Sequence, residues 1–244
     1  MKLLEFLGVP MHAGTMEETV SLIADRVQAG KFTQHVVVNV AKIVHMKRDP
    51  ALAESVQACD VINIDGMGVV WGARMLGHDI PERIAGIDLF GRLLEVATEQ
   101  RWPVYLLGAT DAVVARTVER VTEKYRGLQV AGYASGYFWD DEEAAVTAIR
   151  NSGARLLFVA ITSPKKETFI ERWKNQLGVD FVMGVGGTFD VIAGKVRRAP
   201  VWMQRCGLEW LFRVIQEPRR MWKRYLVTNA QFAMMLAKAY LGRT

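Results

Sequence analysis

The sequence lacks most features of secreted and membrane-spanning proteins. Its 244 residues contain only two cysteines, Cys59 and Cys206, and no C-x-x-C pair. A disulfide framework is therefore excluded, and a reducing compartment is the simplest interpretation. No uncharged apolar run reaches roughly 18 residues, so we expect no membrane-spanning helix. The first apolar run is short, carries Glu5 and ends at Pro10, which makes it a poor match to a signal peptide.

Motifs that hold nucleotides or metal ions in other proteins are also missing. There is no P-loop, and the glycine pairs that begin at Gly66 and Gly184 lack the third glycine of the dinucleotide fingerprint, which disfavours NAD. No Asp-x-Asp pair is present, and the four histidines show no metal-ligand spacing. We therefore predict no metal and no cofactor. A diphosphate ligand would then be neutralised by Arg, Lys and backbone N–H groups.

Positive charge is concentrated in the last fifth of the chain. Residues 195–244 hold 11 Lys and Arg against 2 Asp and Glu, whereas residues 1–194 hold 20 against 24. Such a tail indicates a phosphate-rich partner, namely nucleic acid, an anionic membrane surface or a diphosphate ligand, and a solvated helix face is the plainer alternative. The tail interleaves these cations with aromatic residues, which is typical of a membrane interface: Trp202, Trp210, Trp222, Tyr225 and Tyr240.

Short apolar segments alternate with segments of helical periodicity in the first 194 residues. Strands are predicted for β-branched and apolar runs: His35–Val40, Val61–Ile64, Val104–Leu107, Leu128–Ala131, Leu156–Ile161 and Phe181–Val185. Helices are predicted between them: 15–29, 41–58, 87–99, 111–125, 140–151 and 165–177. The alternation predicts an α/β fold with a mostly parallel sheet and helices on both faces.

The pattern changes after Gly194, where only helical segments follow. We predict helices at Trp202–Glu217 and Arg219–Tyr240, with a break at Pro218. The chain is therefore expected to consist of an α/β core over residues 1–194 and a helical, basic C-terminal appendage over residues 195–244.

Glycine-rich and hydroxyl-bearing turns follow several predicted strands. Ligands of open α/β sheets bind outside the carboxyl ends of the strands, and glycines let a phosphate approach the backbone closely. We therefore expect a nucleotide or another phosphorylated ligand at this edge. The candidate contacts are Gly108, Lys166, Gly184, Gly186, Thr188 and Asp190.

Asp65 is the strongest candidate for catalysis because it directly follows an apolar strand and precedes a glycine turn. A partly desolvated carboxylate can act as a general base toward a hydroxyl group. Asp before Gly is also a common turn former, so a purely structural role is the alternative. Asn39 follows the preceding strand, and either orients a substrate or forms a turn.

Four motifs occur in order along the chain, together with Arg213, Glu217–Pro218 and Arg220: Pro81–Leu89, Gly184–Lys195, Arg198–Pro200 and Gly207–Trp210. In these motifs the chain resembles the WecG/TagA/CpsF family of bacterial glycosyltransferases, and the resemblance covers nearly its whole length. The resemblance implies an inverting, metal-independent enzyme that moves a sugar from a UDP-sugar to a saccharide on undecaprenyl diphosphate during cell-surface polysaccharide synthesis.

The resemblance also implies a Rossmann-like core, self-association, and an appendage that docks peripherally on the cytoplasmic face of the inner membrane and helps to complete the active site. It makes Asp65 the general base, Asn39 a substrate-binding residue and Arg83 an active-site arginine. Appendage arginines are implied to contact the diphosphate: Arg213, Arg220 and Arg224.

Two positions depart from the family pattern. Val37 stands where the family often has Thr, and Lys166 stands where it often has Gln. A lost hydroxyl and a gained cation change which sugar or phosphate groups can be bound. The donor sugar therefore stays open between N-acetylmannosamine, its uronic acid and glucose.

Three other functions compete with lipid-linked sugar transfer. A nucleotide-sugar-modifying enzyme of epimerase type would need no basic, aromatic tail, and a non-catalytic membrane-associated assembly factor would use Asp65 only as a turn residue. Nucleic-acid binding is disfavoured because the cations lie among bulky apolar residues such as Phe232–Leu236. For Met234, Met235 and Leu236, helix packing and membrane contact are both open.

Overall fold

The computed structural model describes residues 1–242, without the side chain of Arg220. In this range the strands are β1 (Lys2–Phe6), β2 (Val9–Ala13), β3 (Thr33–Val38), β4 (Val61–Ile64), β5 (Val104–Gly108), β6 (Val130–Ala134), β7 (Leu156–Ala160) and β8 (Phe181–Gly184). The helices are α1 (Met16–Gln28), α2 (Val40–Met46), α3 (Pro50–Gln57), α4 (Met67–Met75), α5 (Gly86–Gln100), α6 (Asp111–Lys124), α7 (Glu142–Asn151), α8 (Lys165–Trp173), α9 (Thr188–Ile192), α10 (Val201–Arg205), α11 (Glu209–Gln216) and α12 (Pro218–Leu241).

Strands β3 to β8 form one sheet in the order β4-β3-β8-β7-β5-β6, with every pair parallel. All six carboxyl ends therefore lie along the same edge of the sheet. Val38 of β3 pairs with Ile64 of β4, so the next residues, Asn39 and Asp65, are neighbours at that edge. Strands β1 and β2 form a separate antiparallel hairpin.

Helices cover both faces of the sheet. Successive side chains of a strand point to opposite faces, and the residues of β7 show this directly. Phe158 packs with α1, α5 and α6, and its ring centroid lies 4.8 Å from that of Phe90. Leu157 and Val159 pack with α7 and α8 on the other face. The predicted α/β class with a parallel sheet is confirmed.

Several predicted boundaries were wrong for local reasons. The predicted helix over 41–58 is two helices, since Asp49 Oδ1 accepts the Leu52 N–H at 3.0 Å and begins α3 anew with Pro50 in its first turn. The predicted helix Trp202–Glu217 is also two, because Gly207 takes a φ of 71° between α10 and α11. The predicted strand Leu128–Ala131 lies two to three residues later, as β6.

Helix α12 packs on the core along one face. Phe232 is buried in the cluster that contains Phe6, with ring centroids 6.2 Å apart. Met235 and Leu236 pack against the same cluster, whereas Met234 is 64% exposed. Of the two interpretations offered for these three residues, helix packing therefore holds for Met235 and Leu236. Among residues 1–242, no helix combines the length and the apolar character that crossing a bilayer requires.

Candidate active site

Asp65 lies at the carboxyl end of β4, beside an extended segment that leads into α5. Its backbone N–H donates to Val38 O at 2.9 Å, and the Ile84 N–H donates to Ile64 O at 2.9 Å. This second bond holds the segment around Arg83 alongside β4. The Gly86 N–H, at the start of α5, lies 3.4 Å from Asp65 Oδ2. A helix N-terminus therefore faces the carboxylate.

Opposing influences set the acidity of Asp65. Burial raises the pKa of this carboxyl above its ordinary value, and the negative charge of Glu209 raises it further. Arg83, the Gly86 N–H and Arg213 lower it, but the net shift is upward. A carboxylate with a raised pKa accepts a proton more readily near neutral pH, which is what a general base requires.

An ionic network connects the appendage to this site. Arg83 Nη1 forms an ion pair with Glu209 Oε2, and the other oxygen of Glu209 lies 3.6 Å from Arg198 Nε. Arg198 in turn donates two hydrogen bonds to Asp88, at 2.6 and 2.7 Å. The bidentate geometry is the strong form of an arginine–carboxylate contact. The network therefore fixes α11 against α5 and holds the Arg83 guanidinium close to Asp65.

Glu209, Asp88 and Arg198 belong to the motifs that carry the family resemblance, but the sequence predicts no role for any of them. The pairs Arg83–Glu209 and Asp88–Arg198 join residues 126 and 110 positions apart, so no local pattern indicates them. Position within a motif was the only sign that they matter.

Asn39 caps α2 next to Asp65. Its Oδ1 accepts the Lys42 N–H at 3.0 Å, so this side chain has a structural role as the N-cap of the helix, where the sequence offered a turn as the structural alternative. A Cβ atom placed on Gly66 would lie 3.8 Å from Asn39 Cβ, which shows how closely the ends of β3 and β4 approach. The side-chain Nδ2 of Asn39 is the group that remains to donate to a substrate.

Open space lies over the turn that follows β8. Gly186 takes a φ of 52°, and a Cβ atom on Gly186 or Gly187 would meet no atom within 4 Å. β8 is two strands from β4, which places this turn about 10 Å from Asp65. The Thr188 hydroxyl donates to Val185 O at 2.7 Å, and Asp190 lies 3.0 Å from Lys195 Nζ. Backbone groups and Asp190 are thus the candidates for a ligand here.

Lys166 lies in a buried ionic triad. Its ammonium is 3.0 Å from Glu167 Oε1, and Lys42 reaches the same oxygen at 2.7 Å. Burial lowers the pKa of Lys166 to about 8. Burial alone raises the pKa of Glu167, but the two cations lower it to about 2. A Cβ atom on Gly184 would lie 2.4 Å from Lys166 Cε, so Gly184 makes room for this lysine. Direct contact of Lys166 with substrate stays a prediction.

Of the remaining candidates, Arg213 lies near Asp65, whereas Gly108 and Arg224 do not. Gly108 lies on β5, four strands from β4 and about 19 Å away, and a Cβ atom there would lie 2.5 Å from Ala160 O. Arg213 is near enough to lower the pKa of Asp65, whereas Arg224 instead lowers the pKa of His45. The side chain of Arg220 lies outside the described residues.

The described residues contain no group of three His, Cys, Asp or Glu side chains arranged to hold a metal ion. The positive groups near Asp65 are instead Arg83 and Arg213.

Comparison with known proteins places this site in a family. The sequence model of the glycosyl transferase WecG/TagA/CpsF family matches residues 4–244. The chain belongs to this family. The predicted family and the predicted activity, glycosyl transfer, are therefore confirmed, and Asp65 lies in a glycosyltransferase.

Two curated relatives in this glycosyltransferase family carry the name N-acetylglucosaminyldiphosphoundecaprenol N-acetyl-beta-D-mannosaminyltransferase. The relative from Bacillus spizizenii (strain W23) is 37% identical over 179 residues, which cover 73% of this chain and 69% of the relative. The relative from Bacillus subtilis (strain 168) is 38% identical over 162 residues, which cover 66% of this chain and 62% of the relative. The second match thus spans less than two thirds of that protein.

Proposed function

We propose that the protein is an inverting, metal-independent enzyme that transfers a sugar from a UDP-sugar to a saccharide on undecaprenyl diphosphate, for cell-surface polysaccharide synthesis. The observation that carries the proposal is the half-buried Asp65 carboxyl, whose pKa is raised and which lies between Asn39 and Arg83. The names of the two relatives favour N-acetylmannosamine as the transferred sugar and N-acetylglucosamine on the lipid diphosphate as the acceptor.

Asp65 acts as the general base of a single displacement. Its carboxylate takes the proton of the acceptor hydroxyl while the hydroxyl oxygen bonds to the anomeric carbon. The bond between that carbon and the diphosphate oxygen breaks on the opposite face, and its electron pair leaves with UDP. General-base catalysis of this kind contributes about 100- to 10,000-fold to the rate.

Arginines stabilise the negative charge that develops on the leaving diphosphate. Arg83 and Arg213 are the cations close enough to affect Asp65, and Glu209 fixes the position of Arg83. Removing one donor that stabilises such charge typically lowers the rate about 100- to 1,000-fold.

The UDP moiety lies over the turn after β8, with Asp190 near the nucleoside. Support comes from the open space above Gly186 and Gly187 and from the estimated 10 Å to Asp65, a span that an extended sugar diphosphate can bridge.

The appendage meets the lipid-linked acceptor at an anionic membrane surface, which we place on the cytoplasmic face of the inner membrane. The outer face of α12 supports this part of the proposal, since Trp222 and Leu226 are 54% and 62% exposed on a helix rich in Arg and Lys. Self-association belongs to the same proposal through the family resemblance.

The proposal is tested with purified protein, a synthetic N-acetylglucosamine lipid diphosphate and separate UDP-sugars: N-acetylmannosamine, its uronic acid and glucose. The wild-type protein should transfer one of these sugars, as measured by product mass. Asp65→Asn should reduce turnover at least about 100-fold while UDP still binds.

Asp141→Asn is the matched control. Asp141 caps α7 through a 2.9 Å hydrogen bond from the Ala144 N–H, and Asn caps equally well. This variant should keep the wild-type rate. Wild-type turnover by Asp65→Asn, or conversion of the UDP-sugar without an acceptor, would contradict the proposed reaction.

A further inference from the structure

A basic cavity of about 400 Å³ lies between α2 and α12. Five basic side chains line it, beside Val227, Thr228 and Gln231, and its lining includes no carboxylate: His45, Arg48, Arg219, Lys223 and Arg224. Three of these cations lie in the first two turns of α12, and the other two come from the end of α2 and the turn after it. The cavity thus forms because the appendage packs on the α/β core.

The cations of this cavity have no ion-pair partner among the described residues. Within residues 1–242, Arg48, Arg219, Lys223 and Arg224 form no ion pair with a carboxylate. Asp49 acts on His45, but one of its oxygens is occupied in capping α3. Like charges held together without a counter-charge favour binding of an anion.

Two further side chains in the lining are consistent with the excess of positive charge in the cavity. Burial, Arg224 and Arg48 lower the pKa of His45, so a negative charge in the cavity would be felt there. Gln231 Oε1 is buried and has no hydrogen-bond partner among the described residues. Rotating this amide by half a turn would point an N–H donor into the same place.

The cavity is separate from the site at Asp65. Asn39 caps the start of α2, and His45 lies six residues later, about 9 Å along the helix axis. The charged neighbours of Asp65 are Arg83, Glu209 and Arg213, and none of them lines the cavity. The cavity is therefore built from a different set of side chains than the site at Asp65.

Exposed apolar side chains adjoin the cavity on α12. Trp222 and Leu226 are exposed, and Val227 lines the cavity while 40% exposed. Apolar and aromatic side chains beside clustered cations suit a phospholipid surface, where phosphate groups lie above acyl chains. We propose that the cavity between α2 and α12 binds the phosphate of an anionic phospholipid headgroup. This inference rests on the proposed membrane docking and extends it to a defined lipid site.

The test compares two pairs of substitutions in the full chain. Arg48→Gln with Lys223→Gln removes two cavity cations, whereas Lys31→Gln with Arg126→Gln removes two exposed cations before β3 and β6. Binding is measured by sedimentation with phosphatidylcholine vesicles, with and without phosphatidylglycerol. The cavity pair should weaken binding to the anionic vesicles at least about tenfold, and the control pair less than about twofold. Equal losses in both pairs would overturn the site, because total charge would then explain binding.

The pKa of His45 provides a second measurement, which depends on binding in the cavity and not on the total charge of the protein. The His45 ring is titrated by NMR with short-chain phosphatidylglycerol in one arm and inorganic phosphate in the other. The lipid should raise the pKa of His45, since a bound phosphate offsets Arg48 and Arg224. A shift caused by inorganic phosphate alone would overturn the lipid assignment, as would no shift in either arm.

A third measurement separates this inference from the proposed reaction. Transfer to a water-soluble acceptor analogue should proceed at the wild-type rate in the cavity pair. Vesicle binding that depends on the cavity, combined with no transfer by wild type, would refute the proposed reaction and keep the lipid site. Transfer by wild type, with vesicle binding unaffected by the cavity pair, would refute the lipid site alone.

Discussion

At the scale of single residues, the behaviour of Asp65 depends on a balance between burial and its charged neighbours. Two arginines and a backbone N–H favour its charged form, whereas burial and Glu209 favour the neutral form and prevail. Glu209 therefore has two effects, because it also holds Arg83 in place. A variant that removes the charge of Glu209 but leaves the Asp65 carboxyl in place therefore tests how Glu209 affects the pKa of Asp65.

Glu209→Gln is expected to move the acidic limb of the pH profile of kcat/KM to lower pH. The limb reports protonation of the base. Loss of the Glu209 charge removes a repulsion from Asp65, and Gln can still accept a hydrogen bond from Arg83 and keep it in place, so the pKa of Asp65 falls. Glu54→Gln, an exposed position on α3, should leave the limb unchanged. A limb that stays in place would contradict the action of Glu209 on the base, and a limb that moves to higher pH would show that its hold on Arg83 outweighs the effect of its charge.

The same balance predicts that Asp65→Asn stabilises the fold at neutral pH. A carboxyl whose pKa is raised by folding binds more protons in the folded state, so its contribution to stability falls as pH rises above its ordinary pKa of 3.8.

Asn carries no such penalty. Thermal unfolding should therefore show Asp65→Asn to be more stable than wild type at neutral pH, with a difference that shrinks below the ordinary pKa of Asp65. Asp141→Asn should show no difference at either pH. A neutral-pH loss of stability in Asp65→Asn would mean that its contacts with Arg83 and Gly86 outweigh the cost of burial.

At the scale of elements, the sequence predicted those strands and helices that have a clear local pattern of apolar and polar residues. The six sheet strands are short apolar runs, and the predicted helix over 15–29 is α1, which begins at a capping box formed by Thr15 and Glu18. The missed elements have weak local patterns. In α4, Gly68 and Gly72 lower the helix propensity. A Cβ atom on Gly72 would lie 3.0 Å from Leu236, so the absence of a side chain at Gly72 allows α12 to pack closely against α4.

Within the site, only the residues that directly follow a strand could be predicted from the sequence. Asp65 and Asn39 come together because β3 and β4 are parallel neighbours, which strand–helix alternation already suggests. The pairs Arg83–Glu209 and Lys42–Glu167 join residues more than a hundred positions apart. Such long-range pairs depend on how the helices pack, and periodicity carries no information about that.

The triad of Lys42, Lys166 and Glu167 joins α2 to α8, and it gives a prediction for stability. Glu167→Gln leaves two buried cations without a counter-charge, so it should lower the free energy of unfolding by about 3–5 kcal/mol. Lys166→Gln keeps the pair between Lys42 and Glu167 and removes a lysine whose charged form is disfavoured, so it should cost less. Urea unfolding measures both, and equal losses would show that the triad is not organised around Glu167.

At the scale of the whole molecule, α12 has two faces with different tasks. One face carries Met221, Thr228 and Phe232 into the core, so the appendage is part of the folded unit that holds the site. The other face leaves large apolar side chains exposed among the cations. The charge asymmetry of the sequence pointed to this region, but only the packing of α12 on α2 separates its buried residues from its exposed ones.

Trp222→Ser combined with Leu226→Ser tests the exposed face. Neither side chain is buried, so the free energy of unfolding should change by less than about 0.5 kcal/mol per site. Insertion of such side chains into a bilayer interface is worth about 1.5–3 kcal/mol each at full burial, so vesicle binding should fall more than tenfold.

The loss should appear with neutral and anionic vesicles alike, because this part of the interaction does not depend on headgroup charge. Substituting Leu3 and Tyr133 by Ser removes exposed apolar surface of similar extent elsewhere and should leave vesicle binding unchanged. Binding by the α12 double variant that equals wild type would show that the exposed face of α12 does not contact lipid. A drop confined to anionic vesicles would instead assign the whole interaction to the cations, since apolar insertion weakens on neutral and charged surfaces together.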